Sequence, residues 1–166
     1  MTDARIGAAL PAIAAKLPPR SAIIIRRFAM EPAKRDDLIR RLRRAARARR
    51  HLFLWSGPQR PVGYDGRHSP IRGRDNGFLV MPVHNQREAM TARQGRANAV
   101  LISPVRPTRS HPGAAVLGIR GFRRLAANRE YPAIALGGMD GRIFRRLRIH
   151  GAHGWAAIDA WMTIDR

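Results

Sequence analysis

The chain has 166 residues, enough for one domain with a real core, and 45% of them are apolar, which supports a globular over a disordered chain. Lys and Arg number 32 against 11 Asp and Glu, a formal charge of +21, so a polyanionic partner has to be weighed first. With no cysteine there are no disulfides, thiolate nucleophiles or cysteine-held zinc, and no apolar run approaches the roughly 18 residues that cross a bilayer, so a cytoplasmic protein without a membrane partner is expected.

"AIIIRRF" (22–28) predicts a strand, and Pro32 opens a helix running to about Arg50. Within that helix "RRLRRAARARR" (40–50) follows Leu38 and Ile39 and carries Leu42, Ala45 and Ala46 at spacings of three and four. This is an amphipathic helix with a solvated basic face. Only Lys16 and Lys34 are lysines, and the arginines spread along the whole chain. A plain charged surface is therefore the leading reading of the charge, and a nucleic-acid surface the lesser one.

"HLFLWS" (51–56) is the next strand. The stretch 57–77 is rich in Pro, Gly and Arg, with only "VGYDGRH" as a short strand, so one or two helices are expected to be reduced there. "GFLVMPV" (77–83) is a strand, and Asn85 with Glu88 has capping-box spacing that opens a helix to Gly95. "AVLISPV" (99–105) is a strand that runs into "SPVRPTRSHPG" (103–113). Three prolines there forbid helix or central strand, so Ser103, Thr108, Ser110 and His111 sit on a stiff loop. "GFRRLAA" (121–127) is helical, "AIALGGM" (133–139) a strand, "RIFRRLRI" (142–149) a helix, and "GWAAIDAW" (154–161) the last strand and the start of a terminal helix. Strands apolar on both faces, alternating with helices, predict an α/β protein with a parallel sheet in a single domain, 1–166.

Gly137 and Gly138, at a strand end, let backbone N–H groups approach an oxyanion, with the next helix pointing its positive end there; a tight turn is the plain alternative. His68 and His84 are candidate proton shuttles or ordinary hydrogen-bonding residues. Asp65 is a candidate metal or base residue, or simply the Asp of an Asp-Gly turn. A G-x-S-x-G elbow, a Walker loop and a dinucleotide glycine pattern are all missing.

In order and spacing, "DGRH" (65–68), "VHNQREA" (83–89), "SPVRPTRSHPG", "AIALGGM" and "GAHGWAAIDAW" (151–161) resemble segments of the thiamine phosphate synthase and thiazole tautomerase family, across about residues 22–161. The resemblance implies a (β/α)8 TIM barrel with its chemistry at the C-terminal ends of the strands. Here the barrel would be shortened, its first strand truncated or missing, since "MTD" resembles the end of that strand.

The implied activity is a transferase of thiamine biosynthesis that joins a pyrimidine diphosphate to a thiazole phosphate and releases pyrophosphate with Mg2+. Carried over, Thr108 and Ser110 match a phosphate clip whose lysine is replaced by His111, and Arg26 matches a diphosphate-binding arginine. Ser103, Gly137, Gly138, Ile158 and Asp159 join them as phosphate or substrate positions; Arg26, His68, His84 and His111 are the catalytic candidates.

Departures put turnover in question. Trp55 and Ser56 stand where an Asn-Asp pair would hold magnesium, leaving Asp65 and Asp75 as the nearby acids. Pro82 replaces a substrate serine, and Pro104 the tautomerase histidine. The alternatives are a non-catalytic barrel that binds a thiamine precursor or another small phosphate ester, and a basic nucleic-acid-binding protein. The expected partner is a small phosphorylated heterocycle.

Overall fold

The computed structural model describes residues 2, 7–26, 31–57, 59–71, 76–110, 112–127 and 130–162. Helix α1 (Leu10–Lys16) precedes strand β1 (Ala22–Ile25), and α2 (Pro32–Ala48), β2 (Leu52–Ser56), β3 (Gly66–His68) and β4 (Phe78–Val83) follow. Then come α3 (Gln86–Gln94), β5 (Ala99–Ile102), α4 (Gly118–Ala126), β6 (Ala133–Leu136), α5 (Gly141–Arg148), β7 (Ala152–Ala156) and a 3-10 turn, Asp159–Trp161. All seven strands are parallel and lie in sequence order.

Side chains alternate across this sheet, and the alternation builds two layers of core. Ile24, Leu54, Val80, Ala99 and Leu101 form one cluster on the concave face, with Phe78, Ile134 and Leu136 packed on it. Ile23, Ile25 and Phe53 face the other way onto Leu38 and Leu42 of α2. Met81, Val83, Val100 and Ile102 likewise meet Phe122, Leu125 and Leu147 of α4 and α5. Burial on both faces is what the unbroken apolar strands require.

The sheet is curled, because Ile24 of β1 and Ala156 of β7 line the same apolar cavity of about 370 Å3. No ladder joins β1 to β7 among the described residues. Beside β1, the Thr2 N–H donates to the Ile24 carbonyl at 2.8 Å, and the Arg26 N–H donates to Thr2 Oγ1 at 2.9 Å. The architecture is thus a curled, seven-stranded parallel α/β sheet, where the expectation was a shortened (β/α)8 barrel with its first strand truncated or missing.

Between β2 and β4 the described residues form β3 and turns without a helix. There the side chain of Arg67 is buried, its Nη1 donating to the Ile71 carbonyl at 2.9 Å. Among the described residues no helix is long and apolar enough to cross a membrane.

Candidate active site

Strand register decides which side chains reach the mouth of the curled sheet. Leu54, Gly66 and Phe78 share one level of the concave face, and Ser56, His68 and Val80 share the next. Period two then carries Arg26 beyond Ile24, Pro82 and His84 beyond Val80, and Ser103 beyond Leu101, toward the same opening. A cavity of about 570 Å3 lies there, lined by Arg26, His68, His84, Ser103, Thr108, Ser110, Gly137, Gly138, Ile158 and Asp159. Leu101, Leu136 and Met139 supply apolar wall, a surface suited to a heterocycle.

The proline loop is stitched to the end of β6. Val105 N–H donates to Leu136 O at 2.9 Å, and Arg106 N–H to Gly137 O at 3.1 Å. Gly137 (φ +97°) and Gly138 (φ +56°) have left-handed backbones, and a Cβ on Gly137 would meet Pro104 Cα at 2.9 Å. A Cβ on Gly138 would run into the Pro107 carbonyl oxygen. Glycine is therefore required by both conformation and contact. Within the loop, Thr108 Oγ1 accepts the Ser110 N–H at 3.3 Å, which leaves its own O–H to donate elsewhere.

His68 is largely buried, and its Nε2 has no hydrogen-bond partner among the described residues. Burial, with the positive charges of Arg26 and His84 adding to it, lowers its pKa to about 4. It is neutral at physiological pH. His84 differs: its Nδ1 lies 2.7 Å from Glu88 Oε2, and the same oxygen accepts the His84 backbone N–H at 2.7 Å. Partial burial pushes Glu88 up, but hydrogen bonds from the His84 backbone and ring and from Asn85 outweigh it and hold the carboxyl below its ordinary range. An ionised Glu88 accepts only, so the His84 Nδ1 carries a proton and the ring is held in place by it.

One expectation about a helix end changes. Asp140 Oδ1 accepts the Ile143 N–H at 2.8 Å, so the start of α5 is capped by the chain's own carboxylate. Asp159 Oδ2 accepts the Arg109 Nε–H at 3.1 Å.

Asp65 is not brought to the mouth: it precedes β3, at the opposite end of the sheet, and its Oδ2 accepts the Phe53 N–H at 2.7 Å. His111 and Asp75 lie outside the described residues. Reasoning from sequence missed Arg109, whose partner is fifty residues away and leaves no local signal.

The thiamine monophosphate synthase family model matches residues 74–161, a little over half of the chain. The chain belongs to this family. A curated relative, "Putative thiamine-phosphate synthase 2" of Aquifex aeolicus, is 26% identical over 110 residues, 61% of this chain and 59% of that protein. The match thus spans less than two thirds of that relative. A thiamine phosphate pyrophosphorylase from Pyrococcus furiosus superposes with a TM-score of 0.73 at 21% identity, covering 94% of this chain and 81% of that one. FabK from Thermotoga maritima gives a TM-score of 0.66 at 16% identity, covering 98% and 63%. At these identities both structures speak to the α/β fold alone.

The family implies magnesium, a hard cation that takes several oxygen ligands. The described residues of the mouth do not fit it: Asp159 is the one carboxylate lining the cavity, and it is already paired with Arg109. No cluster of three or more His, Asp or Glu suited to a metal occurs among the described residues.

Proposed function

We propose that this protein binds a thiazole phosphate at the mouth and joins it to a pyrimidine diphosphate, the reaction of a thiamine phosphate synthase. One observation carries this reading: Arg26, His68, Thr108, Gly138 and Asp159, drawn from five separate strand ends and loops, rim one cavity in a chain that belongs to this family. The amides of Gly137 and Gly138 and the hydroxyl of Thr108 are donors for a phosphate. In the joining step the thiazole nitrogen attacks the methylene carbon bearing the diphosphate. A C–N bond forms, the C–O bond breaks, and the diphosphate leaves with its electron pair. The Arg26 guanidinium offsets that charge. His84, held at Nδ1 by Glu88, presents its other ring nitrogen to the pyrimidine, while neutral His68, its Nε2 buried, adds no charge to the wall.

A second reading has its own support. Without a fitting set of magnesium ligands, charge build-up on the leaving diphosphate lacks an offset normally worth several kcal/mol. Binding of a thiazole phosphate without turnover follows from that. Purified protein mixed with both precursors, with and without magnesium, separates the two. Thiamine phosphate formed faster than in the protein-free control supports catalysis. Calorimetric binding of thiazole phosphate with no product supports the second reading, and the absence of both sinks the site.

A further inference from the structure

Two successive outer helices repeat one pattern. In α4, Arg120, Arg123 and Arg124 are exposed while Phe122 and Leu125 are buried; in α5, Arg142, Arg145, Arg146 and Arg148 are exposed while Leu147 is buried. The tetrapeptide Phe-Arg-Arg-Leu occurs in both, at 122–125 and 144–147. Both helices pack on one core cluster over neighbouring strands, so their arginine faces lie on the same side of the molecule. A groove lined by Arg106, Arg142 and Arg146, and by the α5 cap Asp140, continues this surface past the start of α5.

Neither helix contains an acid, and among the described residues no carboxylate pairs with any of these arginines. Spacings of three and four set like charges side by side, which destabilises a helix by a few tenths of a kcal/mol per pair. The basic helix α2 is built differently. Asp37 accepts from Arg40 at 3.2 Å, Asp36 pairs with Arg35 at 3.4 Å, and Arg43 lies over the Phe53 and Tyr64 rings. Its charge is partly spent within the fold. A polyanion laid across α4 and α5 would relieve their repulsion.

We infer that the α4–α5 face, with the Arg106 groove, binds the phosphodiester backbone of a nucleic acid. Its aromatic residues are buried or half-buried, and apart from Asp140, whose carboxylate caps α5, its charged groups are arginines, so recognition is of the phosphates and independent of sequence. The arginines of α4 and α5 do not line the mouth, although the Arg106 groove borders it at Gly138, and the proposal stands whether or not the mouth is catalytic.

The test is fluorescence anisotropy with short mixed-sequence duplexes of RNA and of DNA across a salt series. With about five phosphates contacted, affinity should fall several hundred-fold, in order of magnitude, between 50 and 200 mM salt. The quadruple variant R123Q/R124Q/R145Q/R146Q should bind at least tenfold more weakly with a shallower salt slope, and the Arg→Lys version of the same four should stay within a few-fold of wild type. Melting temperatures of both should match or exceed the parent's. The matched α2 variant R40Q/R41Q/R44Q/R47Q should keep most of the affinity. Equal loss in the α2 and α4–α5 variants would assign the effect to net charge and overturn the proposal. So would poly-glutamate binding as tightly as either duplex, or no duplex binding at physiological salt.

Discussion

Arg109 Nε donates to Asp159 Oδ2 at 3.1 Å, tying the proline loop to the end of β7 across fifty residues of sequence. The pair also sets the charge of the mouth, since Asp159 lines the cavity that is proposed to take a phosphate. Arg109 is 69% exposed, so its removal should change stability by less than about 1 kcal/mol. Its effect on binding should be larger. A carboxylate that has lost this guanidinium repels a nearby phosphate by on the order of 1 kcal/mol at an effective dielectric between protein and water. Arg109→Ala should therefore weaken thiazole phosphate binding by roughly tenfold, and adding Asp159→Asn should restore it. Calorimetry on the single and double variants checks this; equal losses in both would show that Arg109 acts through something other than the charge of Asp159.

His68 makes a pH prediction for stability. Its folded pKa is lowered to about 4 from an ordinary 6.5, so between those values the unfolded chain binds more protons than the folded one. Stability then rises with pH across this window and is lost as pH falls from about 6.5 toward 4. The full swing is on the order of 3 kcal/mol. Glu88, with its depressed pKa, adds a loss in the same direction at lower pH. Denaturant midpoints at pH 7 and pH 4.5 measure the drop, and His68→Gln should remove most of the difference; an unchanged drop would place its cause elsewhere.

The strands were legible because β-branched runs such as "AIII" and "AVLI" are apolar on both faces, which only a covered parallel sheet accommodates. Once their register is known, parity alone sends Arg26, His68 and Ser103 to one opening. Parity cannot say where Asp65 goes. "DGRH" reads as a unit, but the strand begins after Asp65, which leaves the carboxylate at the far end. Helix α1, "LPAIAAK", is a short stretch with a proline in its first turn, and its pattern announces no element. The Asp140 cap is local, an Asp three residues before Ile143, yet it is visible only once the helix start is fixed.

Gly138 should be the least replaceable residue of the mouth. Its left-handed backbone costs any other residue about 1 kcal/mol or more, and a Cβ there meets Arg106 Cβ at 2.9 Å as well as the Pro107 carbonyl. These are atoms of the stitched loop, so they yield only if the loop shifts away from β6. Gly138→Ala should cost about 2–3 kcal/mol in urea denaturation and abolish thiazole phosphate binding. Gly141→Ala, with no atom within 4 Å of the added Cβ, is the control and should do neither. If Gly138→Ala binds the phosphate like its parent, the loop and the glycines are not a phosphate cradle.

Thr2 holds Arg26 in place from the neighbouring chain segment. It is 1% exposed; its N–H donates to the Ile24 carbonyl, and its hydroxyl oxygen accepts the Arg26 N–H. Thr2→Val preserves the shape of the side chain and removes the acceptor, leaving the Arg26 N–H at the sheet edge without its partner. The expected cost is about 1–2 kcal/mol of stability. Loss of this anchor lets the backbone at Arg26 drift from the mouth, so affinity for the pyrimidine diphosphate should fall while that for thiazole phosphate, held at the other side by Gly138 and Thr108, stays within about twofold. Thr2→Ser keeps the hydroxyl and should bind both ligands as the parent does. Equal weakening toward the two ligands in Thr2→Val would indicate general loosening of the sheet and would remove the special link between Thr2 and Arg26.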